Sequence, residues 1–123
     1  MISAPPSTDR TLNLGPIEQI PPGEGRRFQI GNVPVAVFRA RDGQVFATQA
    51  LCTHKAGPLA DGIMGAGKIV CPLHSYTFDL ATGAPLGHTC KALKTYPVSL
   101  SADGDILLSI EGQRPSSREG KQP

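Results

Sequence analysis

Apolar and polar residues alternate in short runs along most of the chain, and the runs stop at glycine, proline or Asp-Gly pairs. Val33, Val35 and Val37 alternate within Val33–Ala40, and Ile106, Leu108 and Ile110 alternate within Asp105–Ile110. A period of two marks a strand with one buried face. Asp42-Gly43 and Asp103-Gly104 each separate two such runs. Both residue types accept the positive φ that a tight hairpin turn demands. The pattern predicts strands at Thr11–Leu14, Ile17–Ile20, Arg26–Ile30, Val33–Ala40, Gln44–Gln49, Lys68–Cys71, Tyr76–Leu80, Tyr96–Leu100 and Asp105–Ile110. PPGEG at 21–25 reads as a loop, Gly31-Asn32 as a tight reversal and Ala81-Thr82-Gly83 as a turn. No stretch sustains the i, i+3, i+4, i+7 apolar stripe of a helix. The expectation is an all-β domain, a sandwich or small barrel, without internal repeats.

Composition narrows this picture. A length of 123 residues suits one domain, too small for a scaffold plus a large catalytic cavity. The 14 glycines and 12 prolines suit a turn-rich β fold. Residues 1–10 and 112–123 are polar and read as a flexible arm and a disordered tail, which leaves 11–111 as the domain. A net charge of +2 without a Lys/Arg cluster gives no nucleic-acid signal. The opening MISAPPSTDR has no apolar core of a secretory signal, and no apolar run approaches membrane-spanning length. Three cysteines cannot form a complete disulfide framework. These features predict a soluble cytoplasmic protein with reduced thiols, without nucleic-acid or membrane partners.

Every cysteine and histidine lies within 51–95, a segment whose predicted strands are shorter than those on either side. Cys52-Thr53-His54 is followed, after sixteen residues, by Cys71-Pro72-Leu73-His74. Each group offers one thiolate and one imidazole. A structural zinc ion accepts any Cys₂His₂ set, although its usual spacing pairs like with like. A [2Fe–2S] cluster needs two ligands on each iron, and in a Rieske centre two histidines replace two cysteines on one of them. Two mixed loops meeting head-on fit that division: Cys52 and Cys71 on one iron, His54 and His74 on the other. Gly- and Pro-rich loops would also turn backbone N–H groups towards the sulfurs and tune the potential.

The run C-x-H…C-P-x-H-x-x-x-F-D-x-x-T-G, standing as CTH at 52–54 and CPLHSYTFDLATG at 71–83, resembles the Rieske ferredoxin signature. The resemblance covers about residues 11–111 and implies a Rieske-type three-sheet β-sandwich with an inserted cluster-binding subdomain, here about 51–95. The family's glycine after the second histidine is Ser75 in this chain. Respiratory-complex members carry a disulfide between the two loops, and the matching positions are Gly57 and Leu73. They also place a serine and a tyrosine as hydroxyl donors where this chain has Tyr76 and Phe78. Fewer donors imply a potential near the lower end of the Rieske range, on the order of −150 to 0 mV. A Rieske oxygenase needs a further two histidines and a carboxylate for its non-haem iron, and only His88 is left over.

Within the family, CTHKAGPLADGIM at 52–64, VCPLHSYTFDLATGAPLG at 70–87 and CKALKTYPV at 90–98 resemble the small subunit of NAD(P)H nitrite reductase. That resemblance implies a cytoplasmic large subunit with FAD, sirohaem and a [4Fe–4S] cluster, reducing nitrite to ammonia. The alternative is a free Rieske ferredoxin working between a flavin reductase and a ring-hydroxylating dioxygenase. No residue reads as a general acid, base or nucleophile, so no independent catalysis is expected. Gly87-His88-Thr89-Cys90 falls where the family has a loop covering the cluster, with His88 near the cluster edge or a plain loop residue. Cys90 reads as a small buried hydrophobe, Lys55 as a solvated or docking lysine, and Gly57-Pro58 and Pro72 as loop-shaping residues. Asp79 reads as fixing a turn, and Gly62 and Gly83 as turn positions with positive φ.

Overall fold

A computed structural model describes residues 9–53, 57–73 and 75–111. The predicted arm and tail fall largely outside these residues. Among the described residues, eleven strands form three antiparallel sheets. In the first sheet, β1 (Asp9–Pro16) pairs with β11 (Asp105–Glu111), which pairs with β10 (Val98–Leu100). The second sheet runs in the order β2 (Glu24–Ile30), β3 (Val33–Arg39), β4 (Val45–Gln49) and β9 (Thr95–Tyr96). The third is a meander of β5 (Ile63–Gly65), β6 (Lys68–Val70), β7 (Thr77–Asp79) and β8 (Pro85–Leu86), inserted in the chain between β4 and β9. This is the three-sheet Rieske architecture that the resemblance implies. Among the described residues no helix is long and apolar enough to cross a membrane.

The second sheet is the middle layer. Val35 and Val37 of β3 enter a core with Ile17, Ile20, Ile106, Leu108 and Ile110. Ala36 and Phe38, on the opposite face, enter another core with Leu59, Ile69, Phe78 and Leu80 of the insert. All four residues of Val35–Phe38 are therefore buried. The valine alternation suggests one buried face. The insert covers the other, which a period of two cannot reveal.

Two predicted strands are corrected. Ile17–Gln19 is a 3₁₀ turn. Ile17 and Ile20 are both buried, and a spacing of three brings them to one side of a three-residue turn. Tyr96–Leu100 divides at Pro97, with β9 in the second sheet and β10 in the first. Pro97 offers no N–H to a ladder, but its carbonyl accepts the Ser109 amide at 2.9 Å. The chain thus changes sheets at a proline. Gly62 also differs from expectation: its φ is −78°. A Cβ there would run into the Val70 carbonyl, so close approach selects glycine at this position, not a left-handed turn. Gly83 does stand at +81°.

Candidate metal centre

The two cysteine loops are closed in the same way. Cys52 N–H donates to Gly57 O at 2.8 Å, and Cys71 N–H donates to Tyr76 O at 2.7 Å. Each bond reaches the carbonyl five residues ahead, so each cysteine sits at the root of its own loop. The first loop springs from the end of β4 and is pinched by a bridge between Leu51 and Pro58. The second joins β6 to β7.

Both loops deliver their sulfurs inward. Cys52 is 4 % exposed and Cys71 1 %, and both are free thiols packed into the insert's core. The two side chains are near enough for Cys52 to act on the ionisation of Cys71. Leu73 N–H points at Cys71 Sγ, 3.4 Å away. Burial pushes the Cys71 thiol above its ordinary value, the Leu73 amide draws it down, and the neighbouring Cys52 raises it again. A pair of neighbouring buried sulfurs, with an amide donor already aimed at one of them, fits two thiolate ligands on a single iron.

Position 57 must be glycine for this packing. A Cβ on Gly57 would lie 2.8 Å from Cys71 Sγ and 3.1 Å from Leu73 Cγ. The backbone of the first loop therefore rests directly on the sulfur of the second. Positions 57 and 73, where the respiratory relatives place their disulfide, face each other across the two loops. Leu73 closes that gap with an apolar side chain that remains 41 % exposed.

His54 and His74, the expected imidazole ligands, lie outside the described residues, as does Lys55. Among the described residues no three ligating side chains gather. Ser75 follows the second histidine with φ +59°, a left-handed conformation that favours the glycine of the family pattern. Asp79 fixes the turn after β7: its Oδ1 accepts from Ala81 N–H at 2.8 Å and Thr82 N–H at 3.0 Å. Phe78 is fully buried, with hydrocarbon where a hydroxyl donor stands in the respiratory relatives. Cys90 is half-buried against the same core. Sequence reasoning left His88 open as a cluster-edge or plain loop residue. The structure gives its ring two hydrogen-bonding contacts and two aromatic neighbours. Those contacts lie 11 and two residues away along the chain, and no local motif announces them.

The family model for the Rieske [2Fe–2S] domain matches residues 11–97. The ferredoxin component of the naphthalene 1,2-dioxygenase/salicylate 5-hydroxylase systems of a Ralstonia species is 33 % identical over 85 % of this chain and 99 % of its own length. The ferredoxin of carbazole 1,9a-dioxygenase from Nocardioides aromaticivorans superposes with a TM-score of 0.72 at 32 % identity, covering 80 % of this chain and 95 % of that one. A Mycobacterium tuberculosis protein described as a candidate NADH-dependent nitrite reductase small subunit superposes with a TM-score of 0.76 at 22 % identity, covering 83 % and 96 %. The last likeness is one of fold. Buried paired thiols, the matching loops and these relatives together place the chain in the Rieske [2Fe–2S] domain family, as an electron-transfer protein of the Rieske ferredoxin type with the [2Fe–2S] cluster of that family.

Proposed function

We propose that this protein is a free one-electron carrier, the ferredoxin component that passes electrons from a flavin reductase to a ring-hydroxylating oxygenase in the cytoplasm. One observation carries the reading: dioxygenase ferredoxins match at about a third identity along almost their entire length, whereas the nitrite reductase small subunit cited above shares the fold at 22 % identity. Residues 11–111 act as the Rieske domain, and Cys52, His54, Cys71 and His74 are the ligands. The bound cluster supplies a one-electron couple with two thiolate and two imidazole ligands.

The protein's own part is to hold and orient. Cys52 and Cys71 are buried in the core that holds Leu59 and Phe78, Gly57 lies against the Cys71 sulfur, and the Leu73 amide stabilises negative charge on the sulfur it faces. Pro72 and Leu73 stay at the surface on the tip of the second loop. The sulfur side is thus interior and the loop tips are the side a partner meets. With Phe78 in place of a hydroxyl donor, the potential belongs on the order of −150 to 0 mV.

A second reading, the small subunit of a nitrite reductase, is favoured by the sequence runs at 52–64, 70–87 and 90–98 that resemble that subunit. Reconstitution separates the two. The loaded protein should restore NADH-driven oxygenation when added to a flavin reductase and an aromatic-ring oxygenase lacking their ferredoxin. Stable co-purification with a sirohaem protein, and no stimulation of any oxygenase, would transfer the assignment to nitrite reduction.

A further inference from the structure

We infer that His88 is a positioning residue that buckles segment 87–94 across the insert and thereby holds the first ligand loop in place. The inference rests on the ligand assignment proposed above. Segment 87–94 joins β8 to β9 and belongs to no strand. Discrete contacts hold it instead. Its C-terminal end is anchored firmly: Leu93 N–H donates to Gly83 O at 2.8 Å, Lys94 N–H donates to Gln49 Oε1 at 2.7 Å, and Gln49 N–H donates to Lys94 O at 2.8 Å. Its N-terminal end depends on the imidazole.

Cys90 N–H lies 3.3 Å from His88 Nδ1, and Thr77 O lies 2.8 Å from His88 Nε2. An amide N–H can only donate and a carbonyl can only accept. Nδ1 therefore carries the lone pair and Nε2 the proton, and one neutral tautomer satisfies both contacts. The ring is further confined between two aromatic residues, with its centroid 4.7 Å from that of Tyr76 and 4.9 Å from that of Phe78, the latter edge-on at 82°. A histidine bonded through both nitrogens and packed on two rings has no freedom to rotate.

What the buckle fastens is next to the ligands. Thr77 opens β7, directly beyond the second ligand loop. Three residues along the segment from His88, Lys91 O accepts the Thr53 hydroxyl at 2.6 Å. Thr53 stands between Cys52 and His54. The path from Thr77 through His88 and Lys91 to Thr53 thus ties the strand behind one ligand loop to the middle of the other. Without the imidazole contacts, the Lys91 carbonyl loses its fixed position and Thr53 loses its tether.

The test uses the cluster-loaded full chain, with iron and sulfide per chain measured first. His88→Phe keeps an aromatic ring beside Tyr76 and Phe78 but removes both polar contacts. His88→Gln restores one donor and one acceptor. Loaded His88→Phe is expected to exchange the Cys90 amide faster, to shift the g-values of the reduced cluster, and to lose iron to a chelator about thirtyfold faster, the factor that two hydrogen bonds of ordinary net strength amount to. His88→Gln should recover much of this. Combining His88→Phe with Thr53→Val should add little to either single change, because both cut the same tether. Unaltered g-values and iron release in a loaded His88→Phe variant, or effects of His88 and Thr53 that simply add, would overturn the inference alone. If His88→Phe does not fold, Thr53→Val cuts the same tether from its other end, and unaltered g-values and iron release in loaded Thr53→Val would overturn the inference. Absence of iron and sulfide from the unsubstituted protein would overturn the ligand assignment itself.

Discussion

The two-sheet body and the insert solve the same folding problem with different means. In the body, β1, β2, β3 and β11 run seven or eight residues each and share a core of Val, Ile and Leu side chains. In the insert no strand exceeds three residues. Its core includes two thiols, and much of its order comes from loop hydrogen bonds: the two cysteine amides, the Asp79 turn and the segment carrying His88. Strands of two or three residues do not stand alone in water. The body is stabilised by burial across long paired strands, whereas the insert combines its core with loop hydrogen bonds and leans on Ala36 and Phe38. The two cysteine loops sit on the part with the shorter strands, where loop path matters more than strand propensity.

Removing the iron should break this contrast most strongly. Amides of β6, β7 and both cysteine loops are expected to exchange freely once the cluster is stripped, while those of β3 and β11 stay protected. Exchange followed by mass spectrometry checks this, and equal loss across the chain would show that body and insert are one cooperative unit. Next in size are two core truncations. Leu108→Ala in the body and Phe78→Ala in the insert should each cost about 2–5 kcal/mol, but only Phe78→Ala should bleach the cluster spectrum at temperatures where the body remains folded. Matched melting curves by circular dichroism and visible absorption give the answer.

Smaller changes sharpen the comparison. Ser75→Gly relieves a left-handed serine at φ +59° and should stabilise the insert by about 1 kcal/mol, seen as slower iron loss with the body's melting unchanged. The least effect is expected from pH. Burial pushes the Tyr96 phenol above its ordinary value. The folded state then holds this proton more tightly than the unfolded chain, so the associated stability is complete below the ordinary phenol range and falls as pH rises through it. Tyr96→Phe should flatten that alkaline decline in denaturant titrations without altering the cluster spectrum.

The sequence made the body legible wherever turn chemistry and alternation coincided, as at Asp42-Gly43 between β3 and β4. It was silent where burial came from a distant segment. The second buried face of β3 depends on the insert, and the division at Pro97 depends on two sheets being within reach of one run of residues. β5 and β8 escaped notice because two or three residues containing Gly or Pro carry no measurable period. At the candidate site the spacing singled out Cys52 and Cys71, and the structure buries both in one core. Gly57 and Gly62 were recognisable as special but not for the right reason in both cases: crowding by Cys71 Sγ and by the Val70 carbonyl selects glycine there, and crowding is a property of the folded neighbourhood. His88 looked ordinary because its partners, Thr77, Tyr76 and Phe78, become neighbours only when β7 and segment 87–94 pack together.

The insert leaves and re-enters the body at a single point, where Gln49 and Lys94 are joined through both backbone and side chain. A module with adjoining ends is a cassette: it can be excised, lengthened or exchanged without rethreading the chain around it. The body would then need only a short connection in place of residues 50–93 and polar substitutes for the face of Ala36 and Phe38 that the cassette covers. One sandwich can in this way host different redox heads, and a chimaera carrying another protein's loops on this body becomes a practical way to change potential and partner while keeping the scaffold.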